Sequence, residues 1–152
     1  MTKIWKKIIM NLKFMQTAVE TAKKSGSDVP VGAVIIKDGQ IISRAVNARE
    51  KNQVTSHHAE IIAIEKANKK LKNWRLNGCE MYVTLEPCPM CAGAILQARI
   101  SKVYFGAYDL LNGAFGSKFD MRLITGCDTI VFGGIMEDEC LKLLKNYFER
   151  IR

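Results

Sequence analysis

The chain has 152 residues, of which 48% are apolar and 25% charged, so we expect residues 1–152 to fold as a single domain. No segment approaches the ~20 apolar residues of a bilayer-spanning helix, and residues 1–10 lack the features of a secretory signal, which favours a cytoplasmic protein without a membrane partner. The formal net charge of +8 indicates an anionic partner such as a nucleic acid, although a solvated lysine-rich surface gives the same charge.

The spacing of apolar residues distinguishes helices from strands along the chain. Apolar residues recur every three or four positions from Ile4 to Ala22, which is typical of an amphipathic helix. Short apolar runs flank Asp38-Gly39, a strong hairpin signal. In chain order the predicted elements are a helix over residues 4–22, strands over 31–36 and 41–46, a helix over 58–71, a strand over 81–85, a helix over 87–99, strands over 103–108 and 129–132, and a helix over 136–152.

This order of elements predicts the fold class. Helices alternate with strands and hairpins along the chain, and such chains bury a sheet between layers of helices. We therefore expect an α/β protein with a three-layer α/β/α architecture, in which a central mixed five-stranded sheet is flanked by helices.

Two short motifs carry the chemistry. His58-Ala59-Glu60 opens one predicted helix, and Cys88 and Cys91 lie three residues apart at the start of another, where they share one face. One imidazole and two thiolates can hold a tetrahedral zinc ion and leave the fourth position for water, which is typical of catalytic sites. Glu60 lies beside the first ligand, where it can move protons to and from that water. We expect all three ligands in the first turns of their helices.

The sequence also allows other interpretations of these motifs. Cys-x-x-Cys pairs also occur in zinc sites that only stabilise a fold. His57 is the only other histidine, and on a helix it points about 100° away from His58. The two-residue spacing to Glu60 selects His58 as the ligand. The remaining cysteines are expected to be small buried apolar residues, namely Cys79, Cys127 and Cys140.

The His-x-Glu and Pro-Cys-x-x-Cys pattern is typical of zinc-dependent deaminases of nucleic-acid bases. Together with other runs it resembles the bacterial tRNA-specific adenosine deaminase family over nearly the whole chain. The runs that carry the resemblance are residues 29–34 followed by Asn47, residues 58–61, 74–76, 82–94, 105–109 and 113–117, and the last helix around residues 139–148. The resemblance implies a cytidine-deaminase-like fold and hydrolytic conversion of adenosine to inosine at the anticodon wobble position, with release of ammonia.

The resemblance also implies roles for individual residues. One Zn²⁺ per subunit is bound by His58, Cys88 and Cys91, and Glu60 is the catalytic proton carrier. The substrate-binding residues are Asn47, which hydrogen-bonds the flipped nucleoside, Asp109, which contacts the ribose or backbone, Val31 and Leu85, which form apolar pocket walls, and Phe148, which touches the anticodon loop. Ala59 is added because the backbone N–H groups at the start of its helix can hold the polar edge of the pocket. Asn47 could instead be a turn residue, Asp109 a loop cap, and Phe148 a core residue. The implied partners are a tRNA anticodon stem-loop and a second copy of the chain in a homodimer.

Some positions depart from the family pattern. Leu111 stands where members commonly carry a lysine, His57 stands where a small residue is usual, and residues 118–129 lack the usual asparagine-histidine pair. The principal alternative function is deamination of a free base or nucleoside of the guanine or cytosine type, which uses the same zinc motifs. A zinc-stabilised RNA-binding module without activity is a second alternative.

Overall fold

The computed structural model describes residues 1–152. In chain order the elements are α1 (Lys3–Ala22), β1 (Gly32–Lys37), β2 (Gln40–Val46), α2 (Arg49–Asn52), α3 (Ala59–Leu71), β3 (Cys79–Leu85), α4 (Pro89–Gln97), β4 (Lys102–Ala107), α5 (Met121–Thr125), β5 (Ile130–Phe132) and α6 (Glu137–Arg150). Every predicted element is present within a few residues of its predicted bounds. The two short helices α2 and α5 were not predicted.

The five strands form one mixed sheet with the order β2-β1-β3-β4-β5. β1 is antiparallel to both β2 and β3, whereas β3, β4 and β5 are parallel to one another. Consequently β2, β3 and β4 run in the same direction, and their carboxyl ends lie at one edge of the sheet together with the start of β1. The predicted α/β class with a central mixed five-stranded sheet is confirmed.

Helices cover both faces of the sheet. Alternate residues of β1 point to opposite faces, so that Ala33 and Ile35 belong to one core and Val34 and Ile36 to the other. α3 and α4 pack in the first core, and α1 and α6 pack in the second. None of the helices combines the length and the apolar character needed to cross a bilayer.

The contact between α1 and β1 is close enough to require glycine. A Cβ at Gly32 would meet the Ala18 carbonyl oxygen and would lie 2.7 Å from the Ala22 nitrogen, both of which are backbone atoms of α1. The helix can therefore approach the strand only because residue 32 has no side chain.

We predict that Gly32→Ala destabilises the fold by about 1–3 kcal/mol, since overpacking forces α1 away from the sheet. The matched control is Gly93→Ala in α4, where an added Cβ meets no atom within 4 Å. That change should be neutral or stabilising, because alanine favours helix by up to ~1 kcal/mol. Urea denaturation of both variants measures the difference, and equal midpoints would contradict the close packing inferred at Gly32.

Candidate metal and active site

The site lies at the sheet edge where β2, β3 and β4 end. α3 begins after the segment that follows β2, and only three residues separate the end of β3 from the start of α4. The amino ends of these helices therefore meet above the edge and bring His58 close to Cys88 and Cys91.

His58, Cys88 and Cys91 form the one group of side chains in the chain arranged to hold a metal ion, with ligand atoms within 4.8 Å of one another. His58 Nδ1 lies 3.6 Å from Cys88 Sγ and 3.4 Å from Cys91 Sγ. Zinc bonds of about 2.3 Å to sulfur and about 2.0 Å to nitrogen, at tetrahedral angles, separate nitrogen and sulfur by about 3.5 Å. The spacing therefore fits a zinc ion, and no fourth side chain belongs to the group.

We expected all three ligands in the first turns of their helices. For two of them this prediction is wrong by one residue. His58 and Cys88 are the N-cap residues of α3 and α4, with extended backbone (ψ 156° and 172°), and only Cys91 lies within the first turn. Pro89 at the first helical position fixes where α4 begins. The ligand atoms of all three residues nevertheless lie within 4.8 Å of one another, so the ligands still converge.

Hydrogen bonds link the three ligand side chains. A hydrogen bond with Cys91, and secondarily one with His58, lowers the pKa of the Cys88 thiol below its usual range. The bond to Cys88, together with burial, raises the pKa of Cys91. The bond to Cys88 also raises the pKa of His58. Binding of a divalent cation would displace the shared protons and leave the ligands as two thiolates and a neutral imidazole.

Glu60 lies in the first turn of α3, directly beside the ligand group. Its side chain is only 4% exposed, and this burial raises its pKa above the usual range of glutamate. A carboxyl group with a raised pKa can hold a proton near neutral pH and release it again, as a general acid and base must.

A cavity of about 480 Å³ opens onto the ligand group. Among its lining residues are eight of the ten predicted site residues, namely Val31, Asn47, His58, Ala59, Glu60, Leu85, Cys88 and Asp109. Cys91 is fully buried and does not line the cavity. Phe148 does not line the cavity and is 47% exposed on α6.

Asn47 and Asp109 each have a local role as well as a position in the cavity wall. Asn47 donates from Nδ2 to the Val29 carbonyl and accepts at Oδ1 from the Arg49 amide. Asp109 Oδ1 accepts from the amides of Leu111 and Asn112. The alternative roles as turn and cap residues therefore describe real contacts, but each side chain keeps further hydrogen-bonding capacity for a ligand.

The cavity also includes residues outside the predicted set of site residues. Asp28 is 2% exposed and caps α2 by accepting from the amides of Glu50 and Lys51. Tyr147 of α6 lines the cavity and donates its hydroxyl to the Ser27 carbonyl. Asp28 precedes an apolar run and belongs to no motif, so nothing in the sequence pointed to it. Tyr147 is adjacent to Phe148, which was predicted, so the sequence pattern could have identified Tyr147.

His57 adjoins the site without joining the ligand group. Its Nδ1 lies 2.9 Å from Asn52 Nδ2 at the end of α2. Because this nitrogen is engaged away from the two thiolates, the selection of His58 by spacing agrees with the geometry.

Comparisons with known proteins agree with this site. Residues 9–107 match the family model of the cytidine and deoxycytidylate deaminase zinc-binding region. The chain is 42% identical to a tRNA-specific adenosine deaminase of Bacillus subtilis, over 91% of this chain and 89% of that protein. A solved structure from a study of A-to-I editing by tRNA:A34 deaminases superposes with a TM-score of 0.80, at 38% identity, over 87% of this chain and 99% of that one.

A guanine deaminase from Bacillus subtilis is also similar, with a TM-score of 0.63 and 38% identity, over 75% of this chain and 73% of that one. The matched zinc-binding region and the geometry of the ligand group agree that the cofactor is one zinc ion. The chain belongs to the tRNA-specific adenosine deaminases, a family of zinc-dependent hydrolytic enzymes among the cytidine and deoxycytidylate deaminases.

Proposed function

We propose that this enzyme hydrolyses adenosine to inosine at the wobble position of a tRNA anticodon and releases ammonia. One observation carries the proposal: a three-ligand zinc site with a buried glutamate beside it faces a cavity of about 480 Å³. This arrangement lies in a chain that matches tRNA-specific adenosine deaminases over nine-tenths of its length.

His58, Cys88 and Cys91 are proposed to hold the zinc ion. Zinc with three protein ligands supplies a nucleophile at neutral pH, because it lowers the pKa of a bound water from about 16 to about 7. The protein contributes the open fourth position, since no further side chain reaches the group.

Glu60 is proposed as the residue that moves protons during the reaction. It takes a proton from the attacking water and delivers it to N1 of the adenine ring while the water oxygen attacks C6. It then takes the second proton from the hydroxyl group now bound to C6 and transfers it to the departing amino group, so that the C6 carbonyl forms and adenosine and water become inosine and ammonia. Its burial beside the ligands supports this role, because a carboxyl group with a raised pKa can be both donor and acceptor.

The cavity walls are proposed to hold the base after it leaves the stack. Adenine C6 is inaccessible within a stacked strand, so the nucleotide must swing out into the pocket. Val31 and Leu85 supply apolar contact with the ring, the backbone amide of Ala59 at the start of α3 faces the polar edge of the base, and Asn47 supplies a directional hydrogen bond. Placed polar groups discriminate between bases far better than apolar surface alone.

Asp109 and Phe148 are proposed to contact the RNA outside the pocket. Asp109 lies at the cavity wall, where its free oxygen can accept a hydrogen bond from a ribose hydroxyl. The exposed ring of Phe148 contacts the Tyr147 ring edge-on, with centroids 5.1 Å apart, and Tyr147 lines the cavity. Splayed bases of an anticodon loop stack on aromatic rings in such positions.

We also propose that the whole chain acts as one domain in the cytoplasm. One sheet carries both cores, which supports a single domain. The proposed tRNA substrate supports a cytoplasmic location.

The enzyme is further proposed to act as a homodimer with one zinc per subunit. Four aliphatic side chains that follow β4 are strongly exposed, namely Leu110 (75%), Leu111 (80%), Leu123 (85%) and Ile124 (72%). Large groups of exposed apolar side chains are typical of protein–protein interaction sites.

We predict that the wild-type enzyme sediments as a dimer in sedimentation velocity and that Leu123→Glu shifts it to a monomer. The control is Lys142→Glu, which changes an exposed residue of α6. A monomeric wild-type protein would contradict the proposal.

A substrate assay tests the proposed function. The enzyme is incubated with an anticodon stem-loop carrying adenosine at the wobble position, with the same stem-loop carrying cytidine there, and with free guanine. Inosine in the first RNA, with no uridine formed in the second and no ammonia released from guanine, supports the proposal. Ammonia release from guanine without inosine formation would instead assign the enzyme to the free-base deaminases, to which the similarity with guanine deaminase points.

A further inference from the structure

Glu86 is a buried carboxylate that has no role in the proposed reaction. It follows the last residue of β3 and is 2% exposed, although it borders the cavity. No lysine or arginine forms an ion pair with it. A buried charge without a cation is costly unless hydrogen bonds replace its lost hydration.

Those hydrogen bonds all come from one loop, residues 109–117. Glu86 Oε2 accepts from the amides of Phe115 and Ser117, both at 3.1 Å. Glu86 Oε1 accepts from the amide of Asp109, at 3.2 Å, and from the hydroxyl of Ser117. Three backbone amides and one hydroxyl thus converge on a single carboxylate, and bonds to an ionised acceptor are about twice as strong as neutral ones.

The loop wraps closely around this carboxylate. A Cβ at Gly113 would collide with the Glu86 carboxyl group and would lie 2.5 Å from the Asp109 carbonyl oxygen. The Ala114 amide donates to the Pro87 carbonyl at 2.9 Å, which ties the loop to the residue next to Glu86. The loop conformation therefore depends on the absence of a side chain at residue 113 and on the charge at residue 86.

The same loop presents substrate-facing groups to the cavity. Asp109 and Asn112 both line it, and the Asp109 amide is one of the donors to Glu86. We infer that Glu86 is a positioning residue, which fixes the 109–117 loop and thereby places Asp109 and Asn112 against the RNA substrate. The inference rests on the proposed function, because it takes the RNA contact of Asp109 from there.

Glu86→Gln tests the inference with nearly no change in size. Each carboxylate oxygen accepts from a backbone amide, so the glutamine NH₂ group must face an N–H donor whichever way it turns. We expect the KM for the stem-loop to rise about tenfold or more while kcat changes less than about threefold and zinc stays at one per chain, the pattern of lost uniform binding. Glu80→Gln, at the opposite end of β3, should leave both constants unchanged.

A double-mutant cycle separates positioning from general destabilisation. If Glu86 acts through Asp109, Glu86→Gln adds little to the KM of an Asp109→Ala enzyme, whereas independent losses multiply. The inference would be overturned if the increases in KM of the two single variants multiply in the double variant, or if kcat falls while KM is unchanged. Ser117→Ala removes a single donor and should raise the KM less than Glu86→Gln does, which keeps the test available if the glutamine variant does not fold.

Amide hydrogen exchange tests the loop independently of activity. The amides of Asp109, Phe115 and Ser117 should exchange faster in Glu86→Gln than in the wild type. Unchanged exchange would overturn the inference even in an active enzyme. Absence of inosine formation by the wild-type enzyme would instead refute the proposed function.

Discussion

Replacing Glu60 with glutamine should leave zinc binding intact and slow inosine formation by about 10²–10⁴-fold, the usual contribution of a positioned general acid and base. Glutamine has the same shape, but it can neither take a proton from water nor deliver one to the ring. Glu60 is buried beside the three ligands, so a water molecule from bulk solvent cannot readily replace it.

Single-turnover kinetics with the stem-loop and zinc content by mass spectrometry check this prediction together. Glu65→Gln is the matched control, because Glu65 lies on the same helix, α3, but is exposed. The control should retain full activity. Near-normal turnover in Glu60→Gln would show that another group carries the proton.

Replacing Cys91 with alanine should abolish both zinc binding and deamination. Cys91 is fully buried, and its sulfur lies 3.4 Å from His58 Nδ1, so its loss leaves a neutral imidazole and one thiolate to hold the ion. The fold also loses the stabilisation that bound zinc provides, about 4 kcal/mol when free zinc is a thousand times the Kd.

Metal analysis after dialysis and thermal unfolding with and without added zinc measure both effects. Cys127→Ala is the matched control, since Cys127 is half-buried and lies outside the ligand group. Zinc should raise the Tm of the control and of the wild type, but not that of Cys91→Ala. One zinc per chain in Cys91→Ala would remove Cys91 from the ligand set.

The sequence predicted the zinc site well because the site is built from local spacing. His58 and Glu60 are two residues apart, and Cys88 and Cys91 are three apart, so each half of the site is specified within a few residues. The one-residue error in placing His58 and Cys88 concerns where a helix begins, which patterns of apolar residues define only to within one or two residues.

The parts of the site that escaped prediction depend on contacts between distant segments. α2 has four residues and α5 has five, too few to show a helical periodicity. The closure of the cavity by Tyr147 requires α6 to lie beside Ser27, 120 residues earlier. The loop bonds of Glu86 likewise span 23 to 31 residues, and no local pattern reports them.

The coordination of the zinc ion is the most direct test of a catalytic metal site in this enzyme. Zinc K-edge X-ray absorption of the purified enzyme should show one zinc per chain, with two sulfur ligands at about 2.3 Å and one imidazole. The fourth ligand should be an oxygen that belongs to no side chain. A fourth protein ligand, or protein that retains no zinc, would contradict a catalytic metal at His58, Cys88 and Cys91.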